Sequence, residues 1–321
     1  MKRLIVVFFI FALIGYYAPI ADSADFPTKP INVYIGMAPG GATDVAVRVI
    51  VAEANKHLEH PLVVVNKPGG GGAIATDLVA KSKPDGYNLN WTTLGTVIQT
   101  IVDPNNPFKM KDLTPISRAY QMPMMIGVKS DSNYKTLKDL VKAATEKPGT
   151  LPAGTPGVKS IWHFGMEIFS KEAGIKLRHL PLKSDAEIIT NVLGGHVDVG
   201  FIGAGAVGEH IKAGTLRGLA ITSGQRASGM PQVPTLSEQG YPKAGVVTWG
   251  AIQGPAGLPG DVVEKIGAAF EKALRSSQVT KALETQGLDP WFMGPKDLKA
   301  FVAAEEKRML EAAQSAQLIG R

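Results

Sequence analysis

An α/β fold in two lobes is predicted by three features of this sequence. Short apolar runs alternate with segments of helical period along the chain, which favours largely parallel sheets covered by helices. The length of 321 residues and the 45% hydrophobic content are typical of two domains, each with its own core. Two apolar segments without helical period, 122–128 and 246–255, lie far apart in the chain and are predicted to cross between the lobes.

A secretory signal peptide is predicted at the start of the chain. Lys2 and Arg3 precede an apolar core of about 13 residues, which is too short for a comfortable transmembrane span. Cleavage after Ala21-Asp22-Ser23 would remove residues 1–23; an uncleaved membrane anchor is the alternative interpretation. The sequence contains no cysteine, so it can form neither a disulfide nor a lipid-anchored start. We therefore expect a soluble exported protein, most simply a periplasmic one.

The strands and helices of the first lobe follow one another in simple order. Apolar runs between turn signals indicate strands, and apolar residues three or four positions apart indicate helices. The PDGY turn at 84–87 leads into the third strand. The predicted strands are 31–37, 62–65 and 88–93, and the predicted helices are 43–57 and 73–81.

The second lobe continues this alternation before the chain returns to the first lobe. A helix at 137–147 is stopped by Pro148-Gly149, and a second helix at 161–174 precedes three strands. The strands are 178–182, 197–202 and 216–223, and two long amphipathic helices at 260–276 and 294–314 end the chain. With the crossings as boundaries, lobe 1 comprises residues 24–124 plus 246–321, and lobe 2 comprises residues 125–245.

The charges of the sequence favour a small anionic partner over nucleic acid. The formal net charge of +6 becomes +5 once residues 1–23 are removed, because that segment carries two basic residues and one acidic residue. Basic and acidic residues are interspersed, so the sequence offers no basic stripe for nucleic acid. A modest positive balance would steer small anions into a cleft, although it is also consistent with ordinary surface charge.

Two glycine-rich loops each follow a predicted strand and precede a predicted helix. They are APGGA at 38–42 and NKPGGGG at 66–72. In an open α/β sheet such loops meet at the carboxyl ends of the strands, where ligands bind. Helix amino termini carry free N–H groups and a partial positive charge, and glycine lets an anion approach them. The loops are predicted to form a pincer for one carboxylate; alternatively, their glycines serve only tight turns and helix packing.

Two further patterns come close to known nucleotide-binding motifs. Residues 70–75 fit G-x-G-x-x-A, but the sequence lacks an acidic residue about twenty positions later, where a ribose partner belongs. The loop GTPGVKS at 154–160 is not a phosphate-binding P-loop, because Val158 separates its glycine from Lys159. Thr155, Ser160 and Lys159 would nevertheless offer two hydroxyls and a charge to an anion. An ordinary Ser/Thr helix cap is the alternative.

Catalytic and metal-binding patterns are missing from the sequence. It contains neither a G-x-S-x-G motif nor a cysteine nucleophile, and no third group is placed to orient the Ser160 and His163 pair. His57 and His60 lack a third metal ligand that the sequence could reveal. Trp162 either lines a ligand pocket or belongs to the core. We therefore expect no enzyme activity, no metal and no cofactor.

Several stretches, taken in order, resemble the Bug family, the extracytoplasmic solute-binding proteins of tripartite tricarboxylate transporters. The resemblance covers nearly the whole chain after the signal peptide, and the order and spacing of the stretches make it specific. The stretches are FPTKPINVYIGMAPGGATDVAVRVI, VVVNKPGGGGAIATDLVAKSKPDGYNL, KDLTPIS, EKPGTLPAGTPGVKSIWHFGMEIF, LGGHVDVGF, IKAGTLRGLAITSGQR, VPTLSEQGYP and WGAIQGPAGLP.

The resemblance implies a two-lobed periplasmic-binding-protein fold of type II that closes on its ligand like a clam shell. It also implies a small carboxylate ligand, transporter subunits as partners, and a monomer. The alternatives are a secreted, hydrolase-like enzyme with the same anion pocket, and a ligand-sensing protein without a transporter. Asp44 is expected to brace the first loop. The ligand-binding residues implied are Pro39, Gly40, Gly41, Ala42, Gly70, Gly71 and Gly72, with Thr92, Thr93, Thr155, Ser160 and His163.

Two positions depart from the pattern of the family close to the expected ligand. Met37 stands where an aromatic residue is common, and Leu182-Lys183-Ser184 replaces a usual Tyr-Lys-Gly. Met37 is retained as a ligand-binding candidate. The clamp on one carboxylate is expected to be intact, whereas the contacts to the rest of the ligand are expected to differ from those of the family.

Overall fold

The computed structural model describes residues 26–227 and 229–319. The predicted signal peptide, residues 1–23, lies outside these residues, as does the membrane anchor considered as its alternative. Within the described part of the chain, each helix is too short or too polar to cross a membrane.

The described residues form ten strands and ten α-helices in an α/β arrangement. The strands are β1 Ile31–Ile35, β2 Leu62–Asn66, β3 Asn88–Thr93, β4 Leu113–Lys129, β5 Pro152–Thr155, β6 Arg178–Pro181, β7 Val199–Gly203, β8 Leu216–Ile221, β9 Val247–Pro255 and β10 Asp289–Met293. The helices are α1 Ala42–Ala54, α2 Ala73–Ala80, α3 Leu94–Val102, α4 Leu137–Glu146, α5 Ile161–Ala173, α6 Asp185–Leu193, α7 Ala204–Lys212, α8 Gly260–Leu274, α9 Ser277–Thr285 and α10 Pro295–Ser315.

Lobe 1 is built on the strand order β2-β1-β3-β9-β4, with β10 paired to β4. The apolar residues of β1 alternate, so that Ile31, Val33 and Ile35 are fully buried in one core. Helices α1 and α8 contribute to the same core. Strands β2, β1 and β3 run parallel, which brings the loops after β1 and β2 to the same edge of the sheet.

Strand β4 joins the sheets of the two lobes. Its first part, from Leu113 to Pro123, pairs with β9, and the remainder, from Met124 to Lys129, pairs with β7 and β8. Lobe 2 continues from β7 to β5 and β6 in parallel pairs. The two-lobed α/β fold is confirmed, but its sheets are more mixed than predicted. Strands β4 and β9, which adjoin the crossings, form antiparallel pairs with each other and with β3, β7 and β8.

A buried threonine ties the two crossings together. The Met124 N–H donates to Thr222 Oγ1 at 2.8 Å, and the Thr222 N–H donates to the Met124 carbonyl at 3.0 Å. The Thr222 hydroxyl also donates to the carbonyl of Val246, immediately before β9. One side chain therefore contacts both segments that connect the lobes, at the point where a hinge would bend.

Several elements were not predicted from the sequence. Helices α3, α6, α7 and α9 and strand β10 are short, and α3 was missed although Leu94, Val97, Ile98 and Ile101 have helical spacing. The 246–255 segment forms β9, which pairs only with the lobe 1 strands β3 and β4. The chain therefore leaves lobe 2 just before this strand.

Candidate ligand-binding cleft

A cavity of about 370 Å³ is lined by residues of both lobes. Its volume lies in the range of small-molecule sites. Lobe 1 contributes residues after β1 and β2 and from α3, and lobe 2 contributes the loop before α5. Met122 and Thr248, directly paired between β4 and β9, also line it. The lining residues are Met37, Thr43, Gly71, Thr93, Gly95, Ile98, Gln99, Met122, Pro156, Lys159, Ser160, Ile161, Trp162 and Thr248.

The first glycine loop ends in a helix start that is open to solvent. Gly41 is the N-cap residue of α1, and no side chain of the described residues caps this helix. The first-turn N–H groups of a helix have no partner within the helix itself. Gly41 and Ala42 are exposed, and the next residue, Thr43, lines the cavity. The amides of this turn are therefore accessible to a ligand.

A buried carboxylate braces this loop from behind. Asp44 accepts hydrogen bonds from the Gly40 N–H at 2.9 Å, from Arg48 Nε at 3.0 Å and from Asn66 Nδ2 at 2.8 Å. Burial alone would raise the pKa of Asp44, but the bonds from Arg48, Gly40 and Asn66 lower it to about 2. Asn66 also donates to the Met37 carbonyl, so this network fixes the ends of both β1 and β2.

The second loop depends on four consecutive left-handed glycines. Gly69, Gly70, Gly71 and Gly72 have φ values of 132°, 56°, 64° and 99°, a conformation that other residues rarely adopt. Gly72 is the N-cap residue of α2, which likewise has no side-chain cap among the described residues. The Gln99 side chain packs against Gly71. Bare backbone is therefore required here by conformation.

Gly36 brings the two loops into backbone contact. A Cβ atom on this residue would lie 2.3 Å from the Cα of Gly72. This distance is too short for any side chain to be accommodated at position 36. The sequence analysis did not identify Gly36, Arg48 or Asn66. Gly36 is separated from the Pro-Gly-Gly run by two residues, and the pairing of β1 with β2 brings it against the second loop.

The third loop presents Lys159 and Ser160 from lobe 2. Ser160 is the N-cap residue of α5 and accepts a hydrogen bond from the His163 N–H at 3.1 Å. Lys159 has a φ of 61°, an uncommon conformation for a residue with a side chain. The Lys159 N–H donates to His163 Nδ1 at 2.9 Å. That bond holds the strained residue in place beside the cavity.

Behind this loop, two histidines and a threonine form a largely buried cluster. The rings of His163 and His179 stack with centroids 3.8 Å apart, and His179 Nε2 lies 2.7 Å from Thr155 Oγ1. Burial, together with the neighbouring His163, lowers the pKa of His179 to about 4. The His179 ring is therefore neutral near pH 7, and His163 Nδ1 serves as a hydrogen-bond acceptor within the cluster.

The structure brings only part of the predicted set onto the cavity. Met37, Gly71, Thr93 and Ser160 line it, and the remaining glycine-loop residues, Pro39, Gly40, Gly41, Ala42, Gly70 and Gly72, lie in the adjoining loops. Thr92, Thr155 and His163 do not line it. The Thr92 hydroxyl donates to the Ala251 carbonyl, and the other two belong to the histidine cluster.

The sequence analysis missed the contribution of α3. Gly95, Ile98 and Gln99 line the cavity from this helix. Thr93 and Thr96 form a capping box at its start, a threonine pair three residues apart that the sequence does display. That pair was the available signal for a helix beginning directly after β3.

Among the described residues, the cleft combines apolar side chains with hydrogen-bonding groups and one positive charge, and no carboxylate lines it. Its polar groups are backbone amides, threonine and serine hydroxyls, the Gln99 amide and the Lys159 ammonium group. Within the described ranges, no three His, Asp or Glu side chains lie close enough together to hold a metal ion. An anion with several acceptor oxygens matches this set of donors.

Comparisons with known proteins identify relatives along nearly the whole chain. The sequence profile described as "Tripartite tricarboxylate transporter family receptor" matches residues 46–318. Protein BugT of Bordetella pertussis is 33% identical over 313 residues, which cover 96% of this chain and 95% of BugT.

Three solved structures share the fold. A TctC solute-binding protein from Polaromonas, solved without ligand, is 28% identical with a TM-score of 0.84, over 90% of this chain and 99% of that one. R. palustris Rpa4515 with adipate is 27% identical with a TM-score of 0.75, over 91% of this chain and 99% of that one. MatC from Rhodopseudomonas palustris with bound malate is 25% identical with a TM-score of 0.71, over 89% of this chain and 99% of that one. The chain therefore belongs to the receptor family of the tripartite tricarboxylate transporters, the periplasmic solute-binding proteins that include the Bug proteins.

Proposed function

We propose that this protein captures a small organic carboxylate in the cleft and delivers it to a membrane transporter. One observation carries the proposal. The starts of α1 and α2, neither of which has a side-chain cap among the described residues, lie beside one cavity that both lobes line. Free amides at two helix starts form a site that favours a negatively charged group.

One carboxylate of the ligand accepts hydrogen bonds from the first-turn amides of both helices. Each charge-assisted bond of this kind contributes about 1.5–3 kcal/mol. The exposed loop residues Pro39–Ala42 and the glycines Gly70–Gly72 surround this carboxylate, and Met37 and Thr93 lie next to it. The negative charge of Asp44 would repel a carboxylate ligand. Its hydrogen bonds and its ion pair with Arg48 offset this repulsion.

Lobe 2 closes over the remainder of the ligand. Ser160 and Lys159 face the cavity and supply a hydroxyl and a positive charge. Thr155 and His163 support this loop from behind, because His163 binds the Lys159 amide and its ring stacks on the histidine that contacts Thr155. Thr92 holds β3 to β9.

The lobes move about the crossings near Met124 and Val246. Lobe 1 comprises residues 24–124 plus 246–321, and lobe 2 comprises 125–245. The change of strand partners within β4 after Pro123 supports this division. The ligand selects the closed arrangement because only that arrangement places donors of both lobes around it.

A dicarboxylate is the best-supported class of ligand. Two structural relatives are described with adipate and with malate, which are both dicarboxylates. The protein reaches the periplasm through its signal peptide, acts as a monomer, and holds its ligand without transforming it. Transporter subunits in the membrane are its partners.

A thermal-shift screen followed by calorimetry tests the proposal. We expect adipate, malate, succinate, citrate or nicotinate to raise the melting temperature, because a ligand that binds only the folded state stabilises it. The expected dissociation constant is micromolar or tighter, a binding free energy of about −8 kcal/mol. Nuclear magnetic resonance should recover the ligand unchanged. Stabilisation by neutral sugars or cations alone would overturn the proposal, and turnover would indicate an enzyme.

A further inference from the structure

Asp185 directly follows the segment that departs from the family pattern. It is the first residue of α6, directly after Leu182-Lys183-Ser184. Its Oδ2 accepts a hydrogen bond from the Gly203 N–H at 3.3 Å. Its Oδ1 is buried and has no hydrogen-bond partner among the described residues. A carboxylate oxygen left in this state is unfavourable, so it requires an explanation.

The carboxyl group is held where it is costly to ionise. Burial raises the pKa of Asp185 to about 6, and the bond from Gly203 only partly offsets this effect. At neutral pH the folded protein therefore carries a largely desolvated charge. Groups of this kind are found more often at functional sites than elsewhere in proteins.

Asp185 adjoins the side chains that line the cavity. A methyl group added to Gly203 would lie 2.9 Å from Asp185 Oδ2, 3.5 Å from Trp162 Cζ2 and 3.6 Å from Met122 Cε. The carboxyl group, the indole and the methionine methyl therefore converge on one point. Trp162 and Met122 both line the cavity. Met122 is unbranched and flexible, and a change of its rotamer can uncover the carboxylate.

We propose that Asp185 determines ligand specificity by accepting a hydrogen bond from a hydroxyl or protonated amino group of the ligand. This inference rests on the proposed function. A ligand whose carboxylate is held by α1 and α2 of lobe 1 directs its remainder toward lobe 2, where Trp162 and Asp185 lie. A donor on that part of the ligand supplies the missing partner of Oδ1. The preferred ligand is then a hydroxy- or amino-substituted carboxylate.

A purely structural role for Asp185 is the competing explanation. Gly203 is the N-cap residue of α7 and has no side chain, so Asp185 Oδ2 satisfies an amide at the start of that helix. This role accounts for Oδ2 and leaves Oδ1 unexplained. Asparagine can keep the bond to Gly203 while it removes the charge, and so Asp185→Asn separates the two roles.

The test measures two matched series of ligands by calorimetry. The first is succinate, malate and aspartate, which share a four-carbon dicarboxylate and differ by one hydroxyl or amino group. The second is adipate, 2-hydroxyadipate and 2-aminoadipate. Asp198→Asn is the control, because Asp198 precedes β7 at the opposite end from Gly203 and its pKa is also raised by burial. Asp185→Ser is a second variant, and unliganded melting curves confirm that each variant is folded.

We expect the parent protein to bind a substituted member about tenfold to a hundredfold more tightly than the plain one. Asp185→Asn and Asp185→Ser should abolish this preference, whereas Asp198→Asn should keep it. A larger effect for amino than for hydroxyl compounds would identify an ammonium group as the donor. If the parent shows no preference, or if both Asp185 variants retain it, the inference is overturned while the carboxylate proposal stands. If no member of either series binds, the inference is also overturned, and the wider screen then decides the proposed function.

Discussion

Gly41 and Gly294 occupy the same position in two different helices. Each is an N-cap residue with a φ of −73° and an extended ψ, at the start of α1 and of α10 respectively. A side chain on Gly41 would meet nothing closer than the Ala38 carbonyl at 3.8 Å, and one on Gly294 would meet nothing within 4 Å in the described structure. Only Gly41 lies beside the cavity. The pair therefore separates the effect on binding from the effect on folding.

Replacing Gly41 by valine should impair binding without disturbing the fold. The side chain would cover the α1 amides and cost one or two charge-assisted hydrogen bonds, so the dissociation constant should rise at least about tenfold. Both Gly41→Val and Gly294→Val should lose about 1 kcal/mol of stability, because valine is a poor N-cap residue. Calorimetry and urea unfolding measure the two effects. Equal affinity for all three proteins would contradict the role given to α1.

Gly71 is a less informative position for this experiment. Its φ of 64° strains any side chain, and a Cβ atom there would lie 2.7 Å from Gln99 Nε2. A loss of binding in a Gly71 variant would therefore not distinguish a blocked amide from a displaced loop.

The carboxylate of Asp44 should make the protein sensitive to acid. Its folded-state pKa of about 2 lies below the ordinary value of 3.8, so its contribution is present above pH 3.8 and is lost as the pH falls toward 2. Asp44→Asn should lower the free energy of unfolding at pH 7 by about 2 kcal/mol. Urea unfolding across this pH range should show the difference from the parent shrinking below pH 4. Asp131→Asn, at an exposed position, should show no comparable change.

At the level of elements, the crossings are held by the single hydroxyl of Thr222. Three backbone contacts, to Met124 N–H, the Met124 carbonyl and the Val246 carbonyl, converge on this side chain, which is 4% exposed. The two crossings are not paired with each other at Met124 and Val246, because the β4–β9 ladder joins residues up to Pro123 with residues from Val247 onward.

Removing that hydroxyl should destabilise the protein. Thr222→Val keeps the shape of the side chain but leaves a buried N–H and a buried carbonyl without their partner, which should cost about 1–3 kcal/mol in free energy of unfolding. Thr145→Val is the matched control, because Thr145 is exposed on α4 and bonds only to its own helix. Its expected effect is within about 0.5 kcal/mol. Similar losses in both variants would show that Thr222 has no special role at the crossings.

Elements with strong local signals were predicted from the sequence, and short apolar ones were not. The alternation in β1 and the glycine punctuation before α1 and α2 are legible because each signal lies within a few residues. Helix α3 has only nine residues and follows β3 directly, so the helical spacing of Leu94, Val97, Ile98 and Ile101 was not recognised as a separate helix. Its three cavity residues were missed for this reason.

At the scale of the whole molecule, the proposed function implies relative movement of the lobes. Donors of lobe 1 and of lobe 2 line one cavity, so a bound ligand connects the two lobes. The chain connects the lobes through β4 and through the segment before β9, and α5 of lobe 2 also packs against α3 and α10 of lobe 1. Closure would bend the two connections.

Ligand binding should make the protein more compact. Small-angle scattering with a saturating carboxylate should show a smaller radius of gyration than without it, because closure brings the lobes together. Tryptophan fluorescence should change in parallel, and Trp162→Phe should remove most of the change. Trp162 lines the cavity, whereas Trp91 and Trp249 are buried in lobe 1 and Trp291 lies on β10, outside the cavity lining. An unchanged scattering profile, with a ligand that still raises the melting temperature, would contradict closure.

The sequence by itself determined the fold class, the family and the two glycine loops. The elements and the loops are local patterns, and the family follows from the order and spacing of stretches along the chain. Left-handed glycines and open helix starts are properties of a few consecutive residues, and they can be read without any knowledge of the fold. Tertiary structure alone decided which predicted residues line the cavity. Thr155 and His163 turn toward His179, Gly36 meets Gly72, and Asp185 and Trp162 both lie beside Gly203, all through the arrangement of distant segments. Side-chain direction depends on those pairings, and local sequence does not specify them.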